Sequence, residues 1–154
     1  MKEGLLIRTG EIRDLKILVD FTRSMAYETE RKELPLEIVT IGVKTLLENS
    51  NLGFYLLAEK NGEAAGSLMV TTEWSDWYNG LYWWLQSVYI LPKFRHQGVY
   101  SKLYAFVKAK AKTEQNHLKI CGFRLYVDCH NTSAQSAYEN LGMKETRYKI
   151  YEEL

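Results

Sequence analysis

Cysteine and proline are scarce in this chain, with two of each in 154 residues. Cys121 and Cys129 have no partner at CxxC spacing, and His96, His117 and His130 are scattered, which argues against a metal centre such as zinc. If both cysteines lie on one strand they stand roughly 26 Å apart, beyond disulfide reach. Free thiols fit a reducing, cytoplasmic compartment. No apolar run approaches the roughly 20 residues of a membrane helix. The start, Met1-Lys2-Glu3-Gly4, lacks the charged-then-apolar layout of a signal peptide, so no membrane partner is expected. A surplus of one charge is missing as well. The 20 Lys and Arg offset 19 Asp and Glu to leave a net charge of +1, which gives no general electrostatic case for nucleic acid. There is no Gly/Ser-rich linker, low-complexity run or internal repeat, so residues 1–154 read as a single domain.

What is abundant is aromatic. Eleven Tyr and four Trp are present, and all four Trp fall between Trp74 and Trp84. Such rings usually fill cores or interfaces, though a cluster this local also suits the wall of a binding cleft.

The hydrophobic period changes along the chain. Leu5 to Arg8 reads as a strand, Asp14 to about Tyr27 as a helix, and Pro35 opens a second helix with an apolar stripe from Ile38 to Leu47. Phe54 to Glu59 and Ala65 to Thr72 read as strands around the hairpin turn Asn61-Gly62. Glu73 to Asn79 reads as a loop, and Leu81 to Leu91 as a long strand ending at Pro92. Gly98 to about Gln115 is then a helix, Ile120 to Cys129 a strand, Asn131 to Leu141 a short helix stopped by Gly142, and Met143 to Tyr151 a last strand. A strand-helix-strand crossover after a meander predicts an α/β (α+β) domain, with a mixed sheet and helices on both faces.

The segment from Val88 to Leu103 carries most chemical information. A strand runs into a short loop, Arg95-His96-Gln97-Gly98, and then into a helix beginning Val99-Tyr100. Unpaired N–H groups and the helix dipole make such a start an anion site. Gly98 lets a phosphate approach the backbone, and Arg95 adds positive charge. It is neither a P-loop nor a GxGxxG turn, since no Gly-Lys-Ser/Thr follows and only one Gly is present.

These residues resemble the acetyl-CoA signature of the GNAT superfamily, Arg/Gln-x-x-Gly-x-Gly/Ala after an apolar-Tyr-Val-x-Pro strand. Here the match is Arg95-x-x-Gly98-x-Tyr100 after Val88-Tyr89-Ile90-Leu91-Pro92. Tyr100 stands where the family usually has a small residue, so its ring is expected to point away from the cofactor. Asn131-x-x-Ala134-x-x-x-Tyr138-x-x-x-Gly142-Met143 resembles a second family motif. The resemblance implies a GNAT fold with a mostly antiparallel sheet of six to seven strands. It also implies pyrophosphate held along Arg95, His96, Gln97, Gly98, Val99 and Tyr100. The pantetheine arm would lie against the backbone of Val88, Tyr89 and Ile90, with Asn131 and Ala134 beside it. Asn131 also suits a helix N-cap. Tyr138 would protonate the departing CoA thiolate, a role that suits a phenol near pKa 10.

The general base is less defined. The long strand has Gln86 where many family members carry a carboxylate. Glu28, Glu30, Glu73 and Asp76 are the acidic candidates, with Glu28 and Glu73 the choices for catalysis. Trp74, Trp77, Trp83 and Trp84 offer cation–π faces, although core or dimer packing accounts equally well for two of them. The expected activity is direct acetyl transfer from acetyl-CoA to a primary amine of a small cationic or aromatic molecule, bound by Glu28, Glu30, Trp74, Asp76, Trp84 and Gln86. The rivals are a protein or peptide amine as acceptor, and a non-catalytic acetyl-CoA sensor. A homodimer is compatible with the aromatic surplus.

Overall fold

The computed structural model describes residues 4–114 and 118–154. Its elements run β1 (Leu5–Thr9), α1 (Leu15–Glu30), α2 (Leu36–Glu48), β2 (Phe54–Lys60), β3 (Glu63–Ser75), β4 (Gly80–Ile90), α3 (Val99–Thr113), β5 (Lys119–Arg124) and α4 (Thr132–Asn140), with single 3-10 turns at Ile12–Asp14 and Pro92–Phe94. One sheet holds the strands in the order β1-β2-β3-β4-β5. The first three pairings are antiparallel, and β4–β5 is parallel because α3 carries the chain back across the sheet. Asn61 and Gly62 both have positive φ (53° and 80°), as the tight β2–β3 turn requires.

Alternation along the strands sends side chains to two cores. Leu56, Leu68, Val70, Trp83 and Leu85 pack with Leu103 and Val107 of α3 on one face. On the other, Tyr55, Leu57 and Tyr89 meet Leu18, Val19 and Phe21 of α1 and Val43 and Leu46 of α2.

Several boundaries differ from the sequence expectation. The sheet has five strands among the described residues, not six to seven. Residues 143–151 form no strand. Met143 packs against the core on the α3 face, but Tyr148, Ile150 and Tyr151 are exposed, so the apolar alternation beyond it has neither a ladder partner nor a core to face. β5 stops at Arg124, well before Cys129, so the two free cysteines do not share a strand. β3 continues through Glu73 and Trp74, because Glu73 pairs with Tyr82 and Trp74 with Leu81 on the long β4. α1 runs on to Glu30, so Glu28 and Glu30 belong to its last turn. Gln115 and His117 lie outside the described residues. No described helix is long and apolar enough to cross a membrane.

β4 departs from a regular paired strand in two ways. Its register with β3 jumps from Ser67↔Tyr89 to Met69↔Gln86, so Ser87 and Val88 together face Leu68 in a bulge, with Ser87 at φ 50°. Gly66 permits the close approach there, since a Cβ on it would lie 2.6 Å from the Tyr89 carbonyl oxygen. The second departure is that β5 pairs with β4 only as far as Trp84↔Arg124. Beyond that point the two strands fork.

Away from the fork, Arg8 ties β1 to the start of α1. Its guanidinium donates to both Asp14 oxygens at 2.8 Å and to Glu59 at 2.6 Å. Arg8 holds the mostly buried Asp14 carboxyl below its ordinary pKa, against the opposing effect of burial. A carboxyl lowered on folding stabilises the fold fully above its unfolded pKa of about 3.9, and loses that contribution as pH falls through the lower folded value. Asp14→Asn is therefore expected to cost about 2 kcal/mol at pH 7, measured by urea unfolding. The gap to wild type should close as the pH drops below about 4. The buried Tyr100 hydroxyl has no hydrogen-bond partner among the described residues. Tyr100→Phe removes that desolvated group, and the melting temperature is expected to hold or rise by about 2–4 °C.

Candidate functional site

The fork between β4 and β5 opens into a cleft of about 970 Å³. β4 contributes Val88, the second residue of the bulge, and Tyr89 and Ile90 just past it. Their edge has no β5 partner, so this stretch can offer backbone donors and acceptors to an extended chain. The loop after Pro92 closes one end of the cleft. Arg95, His96, Gly98, Val99 and Tyr100 line it, with His96 (φ 61°) and Gly98 (φ 77°) both left-handed. The first intrahelical bond of α3 runs from Lys102 N–H to the Gly98 carbonyl, which leaves the N–H groups of Val99, Tyr100 and Ser101 without helical acceptors. Nothing lies within 4 Å of where a Gly98 Cβ would be, so the approach is open. Free N–H groups, the helix dipole and open space suit a phosphate.

Arg95 is held three ways. Its Nε donates to the Ile90 carbonyl at 2.9 Å, its second guanidinium nitrogen donates to Glu28 at 2.8 Å, and its guanidinium lies 5.6 Å from the Tyr89 ring centre. Glu28 thus reaches the cleft from α1, but as the ion-pair partner of Arg95. Gln97 does not line the cleft. It donates to the Lys93 carbonyl and accepts from Lys60 Nζ.

α4 forms the facing wall. Asn131 caps it, accepting from Ala134 N–H at 3.2 Å, and its amide nitrogen remains a donor beside the cleft. Ala134 and Tyr138 follow on the same helix face and also line the cleft. Tyr138 stands edge-on to Tyr100, with ring centres 5.4 Å apart, and Tyr100 in turn stacks on Tyr104 at 6.2 Å. Burial pushes the Tyr138 hydroxyl above the ordinary phenol pKa. It pushes Tyr100 further, with the neighbouring phenols Tyr138 and Tyr104 adding to the rise. The Tyr100 ring is therefore a support under Tyr138 as well as part of the cleft wall, and does not point wholly away from it.

The expected acceptor residues are dispersed. Trp83 is core, packed against Phe54 and Phe123. Trp74, Asp76 and Trp77 are exposed and outside the cleft, and Glu30 pairs with Lys32 away from it. Trp84, Glu73 and Gln86 lie beside the cleft on the sheet face that bears Tyr82. Trp84 Nε1 donates to Glu73 at 2.8 Å, and Gln86 donates to the Thr71 hydroxyl. Sequence reasoning passed over Arg124, which donates to Glu73 at 3.0 Å. No local motif marks that residue, because its partner is 51 positions away in sequence. The consecutive Asp128, Cys129 and His130 bring their ligand atoms within 4.8 Å of one another, but all three are exposed.

The fold has counterparts among known proteins. The family model described as "Acetyltransferase (GNAT) family" matches residues 16–143. A solved possible acetyltransferase from Clostridium difficile 630 is 37% identical, with a TM-score of 0.88 over 99% of this chain and 98% of that one. A predicted acetyltransferase from Clostridium acetobutylicum, solved with acetyl-CoA, shares the fold at 17% identity, with a TM-score of 0.79 over 97% and 96% of the two chains. The aminoglycoside N-acetyltransferase AAC(6')-Iy, solved with CoA, does so at 18% identity, with a TM-score of 0.77 over 100% and 97%. None of the curated proteins compared matches the chain in sequence. With the family model spanning most of its length and its two motifs lining one cleft, the chain belongs to the GNAT family of acetyltransferases.

Proposed function

We propose that the chain transfers the acetyl group of acetyl-CoA directly to the primary amine of a small molecule with cationic or aromatic character. One observation carries this reading. A single cleft joins the unpaired edge of β4, the open N-terminus of α3 and the Tyr138 hydroxyl. Those parts suit, in order, an amide-bearing arm, a diphosphate and a leaving group. The CoA and acetyl-CoA complexes of the two structural neighbours agree with it.

Acetyl-CoA supplies an activated thioester. The N–H groups of Val99, Tyr100 and Ser101, with Gly98 giving access, hold the diphosphate, and Arg95 adds a cation at the rim. Val88, Tyr89 and Ile90 align the arm through backbone hydrogen bonds, and an N–H of this strand stabilises charge on the carbonyl oxygen. Asn131 and Ala134 face it from α4. In the transfer, an N–C bond forms and the C–S bond breaks. The amine loses one proton, and the sulfur gains one from the Tyr138 hydroxyl, which solvent then restores. Of the two candidate bases, Glu28 is the better placed, because it lies in the cleft while Glu73 does not. Arg95 holds the Glu28 carboxylate in place, and the proton reaches it through water.

CoA release with a panel of amines tests the reading. Tyr138→Phe is expected to lower kcat about 100-fold while leaving acetyl-CoA affinity by calorimetry within about twofold. Equal turnover by the two proteins would remove Tyr138 from the reaction, and an absence of acetyl-CoA binding would overturn the function. The acid is lost only when Tyr138 ionises, and burial raises its pKa. The alkaline limb of the rate profile is therefore expected above about pH 10 in wild type. A limb centred well below that would identify another acid.

A further inference from the structure

The end of the chain is composed as a strand and pairs with nothing. Met143 N–H donates to the Tyr138 carbonyl, and beyond it no backbone hydrogen bond joins residues 144–154 to the rest of the described chain. Thr146, Tyr148 and Ile150 share one face of an extended chain here, and Arg147, Lys149 and Tyr151 the other. Ile150 is 63% exposed and Tyr151 91%. Alternating aromatic and β-branched residues of this kind gain from a pleated, half-buried setting that the single chain does not give them.

β5 presents the matching gap. One of its edges pairs with β4, and no described strand pairs with the other. The core on the α3 face thins there. β2, β3 and β4 send it buried side chains, whereas Ile120 and Phe123 of β5 are only partly buried. An apolar edge with unused N–H and C=O groups is a template for a further strand. Past Arg124, residues 125–128 continue without a ladder, and α4, which carries Tyr138, has no buried residue.

Each chain therefore carries one free strand and one free edge, and does not join them. Two chains related by a twofold axis satisfy both at once, with nothing left over. We propose that the protein is a homodimer in which residues 144–153 of each copy add, antiparallel, to the free edge of β5 in the other. Length and charge set the arrangement. Lys119 to Asp128 and Lys144 to Glu153 are segments of equal length. Antiparallel pairing brings Glu152 and Glu153 to the Lys119 end and Lys144 to the Asp128 end, whereas parallel pairing opposes like charges at both. None of these five side chains has an ion-pair partner among the described residues. The two segments 119–126 and 143–154 come to about 20 residues a side, the lower end of the usual range for a stable interface. Tyr148 and Ile150 extend the core that thins at β5, and the added strand braces the residues that lead into α4. The assembly does not depend on acetyl transfer and is measured without acetyl-CoA.

Light scattering on the full-length protein at micromolar concentration is expected to give twice the 18.0 kDa of one chain. Hydrogen exchange is expected to show alternate amides between residues 145 and 153 protected about 100-fold or more. A monomer overturns the inference, including one whose tail amides are protected by folding onto its own β5. A dimer with those amides unprotected overturns it as well. Lys149→Pro and Ile150→Pro separate this dimer from any other. Successive N–H groups of a strand point to opposite edges, so one of the two variants removes a ladder donor. At least one is expected to raise the dimer dissociation constant about tenfold or more, and a dimer unmoved by both overturns the inference. Should both variants fail to fold, Lys149→Cys, Ile150→Cys and Tyr151→Cys are oxidised in turn. Cross-strand neighbours lie within disulfide reach, so at least one is expected to give a covalent dimer whose peptide map shows a bond to the partner's Cys121. No interchain bond to Cys121 from any of the three overturns the inference.

Discussion

The site depends on the parting of β4 from β5. β3 holds β4 along its full length, while β5 releases it after Trp84. The bulge at Ser87 and Val88 adds twist just beyond that point, and Gly66 lets β3 stay in contact through it. Were β5 to continue in register, the edge of Val88 to Ile90 would be consumed by a ladder, and α4 would have no cleft wall to form. In the core between the sheet and α3, Leu56, Leu68, Val70, Leu103 and Val107 are all fully buried. An irregular strand is tolerated because the packing on both sides of it is regular.

Electrostatic pairing is the second constraint. Two acidic side chains that flank β4 do not stand as free carboxylates. Glu28 spans from α1 to Arg95, and Glu73 spans from β3 to Arg124. Each pair joins elements distant in sequence, 67 and 51 positions apart. They orient two guanidinium groups, one beside the α3 N-terminus and one at the base of the fork. A planar guanidinium with fixed orientation reads carboxylate or phosphate geometry better than a free lysine does.

Much of the fold and cleft is legible in the sequence, for identifiable reasons. Periodicity locates the helices and the hairpin, because one-sided burial imposes a regular apolar spacing. Arg95, Gly98, Asn131 and Tyr138 are recoverable because each motif is local, set by a strand-to-helix turn or by one helix face. Residues 143–151 mislead, since alternation reports a capacity for pairing and not the presence of a partner. Glu73 reads as loop because polar residues at the end of a strand look like a turn until the length of the opposing strand is known. Trp83 and Trp84, adjacent in sequence, fall on opposite faces of the sheet, so one is core and the other flanks the cleft. Composition alone does not separate them. Arg124 is not legible at all, because its meaning comes from Tyr82 and Glu73 across two strand pairings.

An open strand edge ordinarily threatens solubility, because it templates addition of a strand from another molecule. Most of the unpaired stretch of β4 escapes this hazard by its placement. Val88 to Ile90 lie at the back of a concavity bounded by α1, the turn into α3, and α4. A thin, flexible ligand can enter that space, whereas a second polypeptide carrying its own sheet meets helix walls first. The recess thus acts as a size filter on what may satisfy those backbone groups, and so shields this edge from strand addition.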